Sequence, residues 1–271
     1  MLQTPIHTAP LERVNGRVRV GVERRRGASR LADLYQAGSA KALLPRVLGE
    51  VPHITVINTA GGLTGGDRYR VQLSVGAGAA AVAATQTAER IYRSAGGQAE
   101  TEVSLTVGAG GSLAWLAQET ILFEGARLSR RIEADVGPGG RLLIVEPLVL
   151  GRLAMGEAPE TLDLADRWRI RRDGTLLHAE ATRLTGPISA RRGAAALGDA
   201  TALATVLYVA EDAEDRLDRV RCTLGPRAGA SAWDGRLVVR LAHSDPQALR
   251  QALLTLMPTL YDGALPRVWT M

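Results

Sequence analysis

Cysteine occurs once in the 271 residues, at Cys222. A single thiol excludes an internal disulfide and any zinc site built on several cysteines. Phenylalanine also occurs once, and aromatic residues make up only 4 %, so a core has to be built from valine, leucine, isoleucine and alanine. Lysine is nearly missing: of 33 basic residues, all but Lys41 are arginine, a bias that a GC-rich genome produces. No apolar run approaches the roughly 18 residues needed to cross a bilayer. Met1 to Pro10 carries no apolar centre flanked by basic residues, so neither a membrane span nor a secretory signal is expected. These absences point to the cytoplasm.

What is present is ordinary for a folded chain: 46 % hydrophobic and 23 % charged residues, which excludes general disorder. The net charge of +5 would permit an acidic partner. The arginines are interleaved with carboxylates, however, and no basic stripe carries stacking aromatics, so nucleic acid is not an expected partner. No linker rich in proline, glycine or serine divides the chain, and one domain over residues 1–271 is expected.

The most informative pattern is an internal repeat. Val71-Gln-Leu-Ser-Val-Gly-Ala-Gly-Ala79 returns as Val103-Ser-Leu-Thr-Val-Gly-Ala-Gly-Gly111 and again as Ile132-Glu-Ala-Asp-Val-Gly-Pro-Gly-Gly140. Each copy alternates apolar and polar residues, turns at Gly-x-Gly, and opens a second apolar run. Alternation of period two is a strand with one buried face. A unit of about 30 residues used three times suggests stacked coils, each covering its neighbour; ordinary hairpins in a sandwich are the alternative. The expected fold is dominated by β-structure, a β-helix or solenoid-like stack with about two α-helices in the C-terminal half. In a solenoid the turns at Gly76, Gly108 and Gly137 fall in register along one edge, and Val75, Val107 and Val136 become buried neighbours. Asp173-Gly174 and Asp234-Gly235 predict hairpins. Helices are predicted over Glu211 to Leu224 and Pro246 to Met257, the second with Asp245 as N-cap.

Candidate chemistry is sparse. The glycine-rich stretch Asn58-Thr-Ala-Gly-Gly-Leu-Thr-Gly-Gly-Asp67 lacks the lysine and the following helix of a phosphate loop, leaving a demanding inter-strand turn or a loop that presents Asp67. His7, His53, His178 and His243 form no pair at metal-binding spacing on a helix, and no Gly-x-Ser-x-Gly elbow occurs. Cys222 is expected to be a buried structural thiol. Glu146 closes the apolar run Leu142-Leu-Ile-Val145, where an acid is costly unless paired, hydrated or used. Glu180 stands two residues beyond His178, on the same face of a strand. Each of these acids is open to two readings, an arginine-paired structural carboxylate or a ligand for a cation such as nickel. Glu146, His178 and Glu180 would also suit acid–base catalysis on a β-solenoid.

The loop Asn58–Asp67 resembles the signature of the urease accessory proteins of the UreD (or UreH) family. Thr85-Gln86 with Ile91-Tyr92-Arg93-Ser94, Trp115-Leu-Ala-Gln-Glu-Thr-Ile-Leu-Phe-Glu-Gly125 and Gly151-Arg-Leu-Ala-Met-Gly-Glu157 follow in the family's order. The stretch Glu146-Pro-Leu-Val-Leu150 departs from a segment that the family often fills with Trp and Asp or Glu. The resemblance implies a β-solenoid and a non-enzymatic maturation factor. Such a factor binds apo-urease and UreF and, through UreF, the GTPase UreG, so that nickel reaches the urease active site. It implies no tightly bound cofactor, only transient Ni²⁺, and a path on which Asp67, Glu146 and Glu180 would be the acids. The C-terminal stretch Pro246 to Met271 is expected to contribute to the UreF contact.

Overall fold

The computed structural model describes residues 12–45, 51–152, 156–193 and 195–270. The first half of the chain forms β1 (Asn15–Arg25), β2 (Ala28–Ala37), β3 (Ala40–Leu43), β4 (His53–Asn58), β5 (Arg68–Val75), β6 (Ala80–Thr85), β7 (Glu89–Ile91), β8 (Ala99–Val107), β9 (Ser112–Leu116) and β10 (Thr120–Leu122). There follow β11 (Arg127–Val136), β12 (Arg141–Leu150), β13 (Thr161–Arg172), β14 (Thr175–Pro187), β15 (Ala202–Val209), α1 (Leu217–Arg221), β16 (Ala228–Trp233), β17 (Arg236–His243) and α2 (Pro246–Leu256). Two sheets hold them. One runs β14-β13-β11-β8-β5-β1-β2; the other runs β16-β17-β15-β12-β9-β6-β4-β3, with β10 beside β12 and β7 beside β10.

The repeat is the solenoid. Each coil crosses the first sheet (β5, β8, β11), turns at Gly-x-Gly and returns through the second sheet (β6, β9, β12), all in parallel pairing. Val71, Val103 and Ile132 are register partners, as are Val75, Val107 and Val136. The three valines are 2 %, 2 % and 1 % exposed. The turns stack as expected: Gly108 N–H donates to Val75 O and Gly137 N–H to Val107 O, both at 2.8 Å. Space explains the glycine here. A Cβ on Gly108 would meet Ala77 N at 2.7 Å and Gly76 C at 2.9 Å of the coil beneath.

Apolar side chains of the two inner faces form the main core. The strands of the second sheet are buried on their outer face as well, against the C-terminal segment. There α2 buries Leu249, Leu253 and Leu256, and its N-cap Asp245 accepts from Gln247 N and Ala248 N. Trp269 is 1 % exposed and donates from Nε1 to Leu116 O at 3.0 Å. The apolar side chains that this stretch buries are therefore used inside the molecule. Met271 lies outside the described residues.

Both hairpin turns form, with Asp173 (φ 51°), Gly174 (φ 74°), Asp234 (φ 50°) and Gly235 (φ 70°) in the left-handed region that a two-residue turn requires. Two expectations are corrected. The helix over Glu211–Leu224 is confined to Leu217–Arg221. The acids before it are engaged elsewhere: Asp212 accepts from Tyr208 Oη and Arg216 Nε, and Glu214 accepts from Gly235 N. Cys222 is exposed, because Val220 takes the inward position of this short helix. Among the described residues no helix is long and apolar enough to cross a membrane.

Gly108→Ala is expected to destabilise the protein by about 1–3 kcal/mol, the usual cost of overpacking. Gly96→Ala, where nothing lies within 4 Å of the added Cβ, is expected to leave the urea midpoint unchanged; equal midpoints for the two variants would contradict the stacked-turn account.

Candidate functional site: acids between the two sheets

Arg130 occupies an inward slot of β11 between Leu128 and Ile132, where alternation calls for an apolar residue. Its register partner on β13 is Asp166, itself between Leu164 and Trp168. Glu146 faces them from β12 in the other sheet. Arg130 Nε and Nη2 donate to Asp166 Oδ1 and Oδ2 at 3.0 and 2.6 Å, and Nη1 donates to Glu146 Oε2 at 2.5 Å. Two indoles complete the set: Trp115 Nε1 donates to Glu146 Oε1 at 2.7 Å and Trp168 Nε1 to Asp166 Oδ1 at 3.1 Å. One guanidinium thus faces two buried carboxylates. Burial pushes the Glu146 carboxyl above its ordinary value, although Arg130 and Trp115 pull the other way. Arg130 stays charged, because Asp166 and Glu146 overcome its desolvation.

This triad borders a cavity of about 440 Å³ that reaches Thr182 of β14, Arg227–Gly229 at the start of β16 and Arg240 of β17. Arg240 Nη1 donates to Glu180 Oε1 at 2.7 Å. Burial alone would raise the Glu180 carboxyl, but the His178 imidazole and the Arg240 guanidinium outweigh it and hold it down to about 2. Glu146 and Glu180 are thus brought to one region. Asp67 is not. It lies at the start of β5, and β8 separates that strand from β11. Its carboxylate accepts from Val14 N and Thr64 N, each at 2.8 Å, a pairing that closes the glycine-rich loop. Among the described residues no three or more His, Cys, Asp or Glu side chains are grouped to hold a metal ion.

Sequence reasoning missed Arg130 and Asp166, although a charge inside an apolar alternation was a readable signal. It also missed Glu89. Asn58 Nδ2 lies 3.1 Å from both Glu89 carboxylate oxygens, yet burial dominates and raises this carboxyl to about 7. The glycine-rich loop closes over the same corner, with Leu63 N–H on Arg90 O and Tyr92 N–H on Leu63 O.

A family model described as "UreD urease accessory protein" matches residues 14–270. The chain belongs to the UreD family. It is 49 % identical over 263 residues to the urease accessory protein UreD of Cereibacter sphaeroides, covering 96 % of each chain. It is 45 % identical over 269 residues to that of Brucella suis, covering 97 % of this chain and 96 % of the other. With the UreD of Rhizobium leguminosarum bv. viciae it shares 44 % over 263 residues, 96 % of each. The family is one of accessory proteins, not of enzymes. Its motif blocks are neighbours in this fold: Leu63 bridges to Ile91, Ser94 N–H donates to Gly125 O, and Gly151 N–H donates to Leu122 O. Residues 153–155 of the fourth UreD block lie outside the described residues. Trp115, from the third block, is the indole that holds Glu146.

Arg130→Met is expected to cost about 3–5 kcal/mol, because it leaves two buried carboxylates without their cation. Arg68→Met, whose partner Glu100 is half exposed, is expected to change the denaturation midpoint little; comparable losses would argue against the triad. Glu89 gives a pH test. A carboxyl whose folded value is raised from 4.5 to about 7 favours the fold below the lower value, and that contribution is lost as pH rises through the higher. Relative to Glu89→Gln, the natural chain should lose stability between pH 4.5 and 7 and then run parallel. A constant difference across that window in chemical denaturation would contradict the assignment.

Proposed function

We propose that this chain is a urease maturation factor: a nickel-insertion chaperone and scaffold that binds apo-urease and UreF in the cytoplasm and, through UreF, the GTPase UreG. Membership of the UreD family over residues 14–270 carries the reading. Ni²⁺ is cargo, not a resident cofactor. The buried acids support a path for it. Glu146 and Glu180 stand near a cavity of about 440 Å³, and Asp67 is the acid nearer the other edge of the seven-stranded sheet. A path must release what it binds, so separated carboxylates suit it better than a closed cage of thiolates and imidazoles. The acid–base enzyme reading lacks such support, since the relatives are named accessory proteins.

The test is co-expression with urease and the other accessory proteins. Glu146→Gln and Asp67→Ala should each lower the nickel content and activity of the matured urease severalfold. Pull-down of UreF and apo-urease should be retained, because a path residue need not be an interface residue. Fully loaded urease after both substitutions would remove the acid path and leave the scaffold.

A further inference from the structure

His178 and Glu180 leave β14 on its buried face, with Ala179 exposed between them. Both are more than nine-tenths buried, at 8 % and 9 % exposure. His178 Nε2 and Glu180 Oε2 lie 3.5 Å apart, and neither atom has a hydrogen-bond partner. That separation is too long for a firm N–H···O bond. The orientation is nevertheless fixed. Arg240 holds the other carboxylate oxygen at 2.7 Å, and Thr182 Oγ1 approaches it at 3.4 Å. Oε2 is left facing the imidazole.

The spacing matches a pair of metal ligands. An imidazole nitrogen and a carboxylate oxygen each sit ~2.0–2.2 Å from a borderline divalent ion, which puts two tetrahedral neighbours ~3.4 Å apart. A cavity of about 360 Å³, lined by His178, Ser231 and Arg240 among others, provides access and room for water on the remaining positions. Gly229 and Arg240 also line the cavity that reaches Glu146, so the pair stands where the two cavities adjoin. The geometry points to His178 Nε2 and Glu180 Oε2 as a two-point binding site for a borderline divalent cation such as Ni²⁺ or Co²⁺, beside the cavity that reaches Glu146. The assignment rests on the nickel-carrier reading and adds an imidazole to it. Nitrogen ligation selects borderline ions over Mg²⁺ and Ca²⁺, which prefer all-oxygen sites. Two protein ligands make the site weak, as a transfer station requires.

The metal-free full-length chain is titrated with Co²⁺ by visible absorption and with Ni²⁺ by equilibrium dialysis. One equivalent should bind with either ion, and Mg²⁺ should not compete. His178→Gln and Glu180→Gln should each weaken binding at least tenfold, while Glu133→Gln, an exposed acid, should not. Should a variant misfold, the natural chain decides alone: Zn²⁺ should shift the imidazole ¹⁵N resonances of His178 and leave those of His53 and His243 in place. Absence of binding, or binding that survives His178→Gln, would overturn the site and identify the pair as an imidazolium–carboxylate contact. Loss of urease nickel in Glu146→Gln without cation binding at His178 removes this site and keeps the carrier reading. Binding at His178 with fully loaded urease in His178→Gln keeps the site and removes its place on the path.

Discussion

Every coil of this molecule satisfies its backbone on the next, and that parallel, in-register ladder is the constraint from which the rest follows. A parallel strand cannot close its hydrogen bonds locally, so β5, β8 and β11 exist as strands only together. The ladder repeats side chains as well as backbone: Val75, Val107 and Val136 stack inside, and Arg70 and Glu102 pair outside at 2.7 Å. It also explains the glycines. A turn that lies directly on the turn beneath has no room for a Cβ at Gly108, whatever the backbone dihedrals there.

Within so regular a stack, a charge in the interior has to come with its partners. Arg130, Glu146 and Asp166 sit on three strands of two sheets, and the two tryptophans of the adjoining positions aim their N–H groups at the same carboxylates. Buried charges left unpaired are far more costly than buried apolar groups, so these five side chains form a unit. It stands beside a cavity instead of closing the core. Such an arrangement adds little stability over a well-packed apolar set of the same volume.

The outer face of the second sheet meets a different requirement. Its strands are apolar on both sides, as parallel strands covered on both faces tend to be. Leu249, Leu253, Leu256 and Trp269 supply the missing cover. The buried face of the C-terminal segment is therefore part of the fold.

The amino-acid sequence alone determined the local grammar. Alternation with Gly-x-Gly marked the coils and their register, Asp-Gly marked both hairpins, and Asp245-Pro246 marked the start of α2, because each depends on residues adjacent in the chain. It also carried the family motifs. Tertiary structure decided what meets across the sheets. Period-two alternation says that Arg130, Glu146 and Asp166 point inward, but not that residues 16 and 36 apart converge on one guanidinium. It could not say that Asp67, equally acidic, would be held by two backbone amides, nor that Cys222 would face water. Those outcomes depend on which strand lies opposite which, and only the stacking of the complete coils sets that.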